Sequence, residues 1–280
     1  MSEASPKHKT TERIAFIGGG NMASAIIGGI VKQGVPAGNI DVVEPFAETR
    51  DKLKAQFGIT AQADAGPALG HATLVVWAVK PQIFKDAALQ TRFHTKNALH
   101  LSVAAGIRSD SIARWLGTER VVRSMPNTPA LIGKGMTALF ARPAVTMEDT
   151  QVIERVIATT GEFIWVTEEK LLDAVTALSG SGPAYVFYFI EAMTQAGADM
   201  GLTREQAHRL AVGTFVGASE LARKSDEPPE ILRQRVTSKG GTTQAAITSM
   251  EQDRVMMLFM RAIHTARQRA VELGDEFGAA

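Results

Sequence analysis

The sequence predicts an α/β protein: an N-terminal Rossmann-like domain built on a parallel sheet, followed by an all-α C-terminal domain. Three observations carry this reading. A glycine-rich turn joins a strand to a helix near the start of the chain. Short apolar runs then alternate with helical segments as far as residue 166, the pattern of a doubly wound sheet. Beyond residue 167 strand signals stop and long helical patterns take over.

The first strand is the apolar run 14–17. It ends at Gly18, and an Ala/Ile/Gly-rich helix follows over 21–32. Gly18-x-Gly20-x-x-Ala23 therefore sits where a dinucleotide fingerprint requires it. Gly18 permits the tight turn, Gly20 lets backbone approach a pyrophosphate, and Ala23 lets helix and strand lie close. The helix start offers N–H groups and a positive dipole end to phosphates. A second strand, 40–43, leads to Glu44, about 20 residues past Ala23, where an acidic side chain commonly takes the adenosine ribose hydroxyls. The alternative is a strand-end carboxylate in solvent. On the ribose, Glu44 would favour NAD(H); Arg50 would reverse that by pairing a 2′-phosphate.

A charged helix over 47–57 precedes a short strand near Ile59. The run 72–79 is apolar throughout, as in a strand covered on both faces. Further strands are expected at 98–103, 120–125 and 163–166, with helices over 107–116 and 147–159. Ligands of such sheets lie at the carboxyl ends of the strands. That rule collects the cofactor-binding candidates: Gly18, Gly20, Asn21, Met22, Glu44, Ala78, Val79, Lys80, Pro81, Ala104, Ala105 and Asn127. Lys80 is either a cofactor contact or a solvated loop lysine.

The helical part begins with 171–178 and the loop Ser179-Gly-Ser-Gly-Pro183. The next helix, reaching residue 200, is apolar nearly all round and is expected to be buried on every side, most simply in a subunit interface. Thr203-x-x-Gln206 is a capping box for a helix to residue 224. A final long helix is expected from Thr243 to Leu273. The domains are accordingly a tail over 1–12, a dinucleotide-binding domain over 13–166 and a helical domain over 167–280.

Composition narrows the field. The 280 residues carry 30 basic and 29 acidic side chains for a net charge of +1, which gives no footprint for nucleic acid or an anionic membrane. There is no cysteine, which excludes disulfides and thiolate metal sites and fits a cytoplasmic protein. The uncharged stretches 14–31 and 174–190 are too interrupted by Gly, Ser, Asn and Pro to span a membrane. The six histidines show no ligand spacing, so no metal site is expected.

Five stretches together resemble pyrroline-5-carboxylate reductase: Phe16-Ile-Gly-Gly-Gly-Asn-Met-Ala23; Ala78-Val-Lys-Pro81; Met125-Pro-Asn-Thr-Pro129 with the preceding Ser102-Val-Ala-Ala-Gly106; Leu178-Ser-Gly-Ser-Gly-Pro-Ala-Tyr185; and Val236-Thr-Ser-Lys-Gly-Gly-Thr-Thr243. The resemblance implies reduction of 1-pyrroline-5-carboxylate to L-proline with NADP(H), NAD(H) remaining possible. It implies that backbone N–H groups of Lys239, Gly240, Gly241 and Thr242 hold the substrate carboxylate, and that the Thr243 hydroxyl meets the ring nitrogen. Ser238 is the second catalytic candidate of that loop, and Glu169 completes the substrate-binding candidates. It also implies a homodimer formed through the helical domain, often assembled into decamers. Arg235 stands where the family often has Asn, and Ala63-Asp-Ala65 lacks an Asn common there.

The residues support this chemistry on their own. Gly240-Gly241-Thr242-Thr243 before a helix is an anion cradle, or one threonine simply caps the helix. A ketone needs an acid for its alkoxide, yet 179–190 contains no Lys, His, Asp or Glu. An imine nitrogen can arrive protonated, so orientation and one hydrogen bond suffice. Lys80 or Lys239 could still reach a substrate, and Tyr185 and Tyr188 could donate protons, although tyrosines in an apolar helix are more often core. The rival readings are another cyclic-imine reductase, a β-hydroxyacid dehydrogenase and a non-enzymatic NAD(P) sensor.

Overall fold

A computed structural model describes residues 12–278. The tail expected over 1–12 lies almost wholly outside the described residues. By internal contacts the chain forms two compact units, Met1–Gly180 with Arg267–Ala280, and Ser181–Ala266.

The first unit is built on a seven-stranded sheet: β1 (Ile14–Ile17), β2 (Ile40–Val43), β3 (Leu74–Trp77), β4 (Leu99–Ser102), β5 (Val121–Met125), β6 (Gly135–Ala141) and β7 (Gly161–Trp165). The spatial order is β2-β1-β3-β4-β5-β6-β7. The five strands from β2 to β5 pair in parallel, whereas β6 runs antiparallel to β5 and parallel to β7. The sheet is thus not wholly parallel as expected, and β6 falls where the sequence pattern placed no strand. No strand forms at Ile59, which is buried as a loop residue; the backbone joins β2 only through a bridge between Val43 and Gln62.

Why β1 and β3 are apolar throughout follows from their two-sided burial. Ile14 and Phe16 of β1 pack with helix α1 (Asn21–Lys32) through Ile26, Ile27 and Ile30. The intervening Ala15 and Ile17 face the opposite cluster, with Trp77, Phe84 of α3 (Pro81–Thr91) and Trp115 of α4 (Ser109–Leu116). Helix α2 (Ala47–Phe57) buries only Leu53, and α5 (Met147–Ile157) starts with a complete Thr146–Asp149 capping box. Within this layer His100 on β4 is almost fully buried and its Nδ1 accepts a hydrogen bond from Trp77 Nε1 at 3.0 Å. Burial pushes its imidazole down to about 4.

Helix α6 (Leu171–Val175) and the π turn Thr176–Gly180 belong to the first unit by contact, so the units part after the 166/167 boundary that texture suggested. Polar ties account for this. Glu169 binds the Ser109 N–H and hydroxyl at 2.6 Å each and Arg123 Nη1 at 2.6 Å.

The second unit holds α7 (Gly182–Asp199), α8 (Arg204–Lys224), α9 (Pro229–Arg235), α10 (Thr242–Gln252) and the first half of α11 (Val255–Gly278). The Thr203 capping box forms as expected, with Gln206 N–H on the Thr203 hydroxyl at 3.2 Å and the reciprocal bond at 3.0 Å. The expected single C-terminal helix is two helices, broken at Asp253-Arg254, where Arg254 takes the left-handed conformation with φ of 54°. α7 is not buried all round in one protomer: only Thr194 and Gly197 are buried, while Phe187 and Tyr188 stand out. Tyr188 is therefore not core in the single chain; Tyr185 packs edge-on against Phe259, 5.6 Å between centroids. Among the described residues no helix is long and apolar enough to cross a membrane, and no group of three or more His, Asp or Glu side chains converges.

Candidate active site

The parallel register of β2, β1 and β3 brings their carboxyl ends to one edge. Gly18 N–H donates to Val43 O at 2.8 Å and Ala78 N–H to Ile17 O at 2.8 Å, so the three loops start side by side. Gly18 has φ of +95°, and a Cβ there would lie 2.5 Å from the Ala78 carbonyl oxygen. Glycine is required by both conformation and space.

Gly19, not singled out by the fingerprint, is held just as closely. A Cβ on it would lie 2.7 Å from the Leu53 side chain. Its N–H donates to Glu44 Oε2 at 2.8 Å, and Glu44 Oε1 accepts the Phe46 N–H at 3.0 Å. Glu44 is 6% exposed. It is neither a solvated strand-end carboxylate nor an unengaged ribose ligand; it clamps the glycine turn to the β2–α2 connection. Arg50 reinforces that connection, its Nη1 donating to the Glu44 and Pro45 carbonyls at 2.9 and 2.6 Å. The signal for Gly19 was available: a third glycine in an unbroken Gly18-Gly-Gly20 run.

A Cβ on Gly20 would meet no protein atom within 4 Å. The turn therefore opens onto free space beside Asn21 and the partly buried Met22, and α1 begins with no side-chain cap. Uncapped N–H groups, a positive helix end and an open face suit a dinucleotide pyrophosphate, so the residues fit the group.

The neighbouring candidates divide. Ala78, Val79, Lys80 and Pro81 form the β3–α3 connection, with Lys80 exposed as the α3 N-cap residue and Pro81 opening the helix. Ala104 and Ala105 follow β4, the Ala104 N–H resting on Ser102 Oγ at 3.3 Å. Asn127 has both ends of its amide engaged, donating to Ser179 O at 3.1 Å and accepting from Met136 N–H at 2.9 Å. It shapes the loop after β5. Glu169 is likewise spent within the first unit, on Ser109 and Arg123. Near it burial raises the Asp173 carboxyl, against the pull of Arg123, Arg108 and Arg267.

In the second unit Ser238, Lys239, Gly240 and Gly241 form an exposed or half-exposed turn before α10. The turn is closed by Gly241 N–H on Ser238 O at 3.0 Å, and Gly240 has φ of +74°. The N-cap of α10 is Gly241, and no side chain caps it. Thr242 and Thr243 are thus the first helical residues, so neither is the capping threonine that local sequence allowed. Gln244 was missed: its Oε1 accepts the Gly240 N–H at 2.5 Å. This N–H is therefore satisfied by a neutral amide oxygen from the first turn of the following helix. Arg235 is paired with Glu227 at 2.5 Å.

Comparison with known proteins identifies the family. A family model described as pyrroline-5-carboxylate reductase dimerisation matches residues 169–273, and one described as NADP oxidoreductase, coenzyme F420-dependent, matches residues 13–106. The pyrroline-5-carboxylate reductase of Pseudomonas aeruginosa is 43% identical over 271 residues, covering 96% of this chain and 99% of the relative. The solved structure of a pyrroline-5-carboxylate reductase from Coxiella burnetii superposes with a TM-score of 0.88 at 37% identity, over 94% of this chain and 99% of that one. The NADP-bound pyrroline carboxylate reductase of Plasmodium falciparum superposes with a TM-score of 0.85 at 28% identity, over 94% and 98%. A near full-length relative at this identity and a family model over the helical half leave one assignment: this chain belongs to the pyrroline-5-carboxylate reductase family.

Proposed function

We propose that the chain reduces 1-pyrroline-5-carboxylate to L-proline at the expense of NADPH, the final step of proline biosynthesis. The observation that carries the reading is the turn 238–241 and the helix start it leads into: no side chain caps that start, the Gly240 N–H is held only by the Gln244 side chain, and two hydroxyl-bearing residues, Thr242 and Thr243, open the helix. When bound, the cofactor supplies a hydride to the imine carbon. The protein supplies position. Gly18–Gly20 and the start of α1 take the pyrophosphate, with Asn21, Met22, Ala78, Val79, Lys80, Pro81, Ala104 and Ala105 along the same edge. Lys239, Gly240, Gly241 and Thr242 hold the substrate carboxylate, displacing Gln244. The Thr243 hydroxyl hydrogen-bonds the ring nitrogen, which arrives protonated and needs no lysine acid, and Ser238 orders the turn. Catalysis then rests on proximity and orientation.

NADP(H) is the cofactor by its agreement with the matched oxidoreductase model and the NADP-bound relative. Self-association through the helical unit agrees with its match to a dimerisation family. Assembly of dimers into decamers and a cytoplasmic location complete the proposal.

The deciding experiment follows NADPH and NADH absorbance with prepared pyrroline-5-carboxylate. Consumption with L-proline as product is expected; cofactor binding without turnover overturns the assignment. Thr243→Ala should lower kcat/KM about 10-fold or more, one hydrogen bond's worth, with cofactor Kd unchanged. Wild-type rates from that variant would remove Thr243 from the mechanism. Glu44→Ala leaves the Gly19 and Phe46 N–H groups without their acceptor. Affinity for both cofactors should fall about 10-fold, less for NADPH than for NADH because a carboxylate near the 2′-phosphate is removed. Unchanged affinities measured by cofactor fluorescence would show that the clamp does not shape the site.

A further inference from the structure

Phe46 is the feature of the nucleotide edge that the reading above leaves unused. It is 70% exposed, although phenylalanine is among the residues most often buried. Other exposed aromatic side chains have an account. Phe93 lies beneath the guanidinium of Arg92, 4.6 Å from its centroid, with Lys96 at 5.8 Å. Phe187 and Tyr188 are on the helical unit that matches the dimerisation family. Among the described residues Phe46 has no ring or cation partner.

Its backbone is nonetheless fixed from both sides. The Phe46 N–H rests on Glu44 Oε1 at 3.0 Å, and its carbonyl accepts the Arg50 N–H at 3.1 Å. Arg50 Nη1 also pins the two preceding carbonyls. Because the same Glu44 carboxylate holds Gly19, the Phe46 backbone is tied through one residue to the glycine turn. The sheet order β2-β1-β3 puts the glycine turn between two connections, each carrying an exposed apolar side chain: Phe46 after β2 and Ile83, 47% exposed, in the first turn of α3. An apolar ring on a hydrogen-bonded connection at the adenosine side of a pyrophosphate site matches a flat heteroaromatic base.

We propose that Phe46 is the stacking platform for the adenine of the dinucleotide, with Ile83 bordering the same pocket, and that Glu44 serves the cofactor mainly by holding this platform and the glycine turn in one register. The inference rests on the nucleotide site of the proposed function, but not on its imine substrate. Affinity for the adenosine half then comes from a π-face contact, which NADPH and NADH share, so Phe46 does not choose between them.

The test measures Kd by fluorescence titration for NADPH, 2′,5′-ADP and reduced nicotinamide mononucleotide, the last of which has no adenine. Phe46→Ala should weaken NADPH and 2′,5′-ADP by roughly 5- to 100-fold, the range for loss of one base–aromatic stack, and leave the mononucleotide unchanged. In Phe46→Trp the new indole emission should be quenched saturably by 2′,5′-ADP, with NADPH affinity retained. Wild-type NADPH affinity in Phe46→Ala overturns the proposal. So does equal weakening of the mononucleotide, which would mean a displaced loop and not a lost stack. None of these titrations contains an imine, so failure of proline formation with these results intact would remove the proposed substrate and leave the adenine platform standing.

Discussion

Gly18→Ala should abolish useful cofactor binding, raising the NADPH Kd at least 100-fold, and should lower folding stability by about 3 kcal/mol. Two costs add at this residue. An L side chain at φ of +95° is strained by about 1–2 kcal/mol before any contact is considered. The new Cβ would then sit 2.5 Å from the Ala78 carbonyl oxygen and 2.8 Å from its carbon, both backbone atoms that cannot rotate aside. The turn must retreat by about 1 Å to reach ordinary contact, and displacements of that size at a binding loop cost on the order of 100-fold. Gly20→Ala is the informative contrast. Its Cβ meets no protein atom, so stability should hold while the bulk enters only the space left for ligand. Cofactor titration and denaturant unfolding of the two variants check both halves, and near-wild-type NADPH affinity in Gly18→Ala would contradict the placement of the pyrophosphate.

The protein should also lose stability steeply in mild acid through His100. Burial holds this imidazole neutral down to about pH 4, whereas an unfolded chain takes up the same proton near 6.5. Between those values the unfolded state binds more protons, so stability falls as pH drops through the window and is restored as pH rises above 6.5. The full difference is on the order of 3 kcal/mol, large beside the total stability of a typical domain. Burial outweighs what nearby groups offer: the Thr95 backbone favours the protonated ring, Arg120 opposes it, and Nδ1 already accepts from Trp77 Nε1. His100→Asn places an amide oxygen where Nδ1 accepts and removes the titration. Comparing the two proteins by denaturant unfolding at pH 7 and pH 4.5, at one protein concentration, should show a smaller acid loss in the variant. Parallel losses would mean that His100 finds a way to protonate in the fold.

How much of this was readable beforehand depended on what each segment is packed against. The bounds of β1, α1, β2 and α2 follow from local sequence because Gly18 and the turns at Gly34 and Pro45 end each element where the apolar pattern also ends. β6 escaped because Gly135-Met-Thr-Ala-Leu-Phe-Ala141 is equally compatible with helix by composition; its pairing with β5 and β7, not propensity, makes it a strand. The break after α10 carries no Gly or Pro, and Arg254 bears the positive φ a glycine would normally announce. Among site residues, Gly18 and Gly20 were legible because turn chemistry is local. The clamp by Glu44 was half legible: spacing located the carboxylate, but only the fold reveals that Gly19 and Phe46 are its partners. Asn127 and Glu169 could be named from the sequence, but the partners of their polar atoms within the first unit are visible only in the fold.

The helices of the second unit leave Phe187 at 58%, Tyr188 at 70% and Met256 at 67% exposed in a single copy. An element that buries so little of its own apolar surface borrows its stability from another molecule, and mass action then enters. For a dimer that unfolds to separate chains, each tenfold dilution removes about 1.4 kcal/mol of apparent stability per dimer. The robustness of this fold is therefore a property of how much of the protein is present as well as of its sequence.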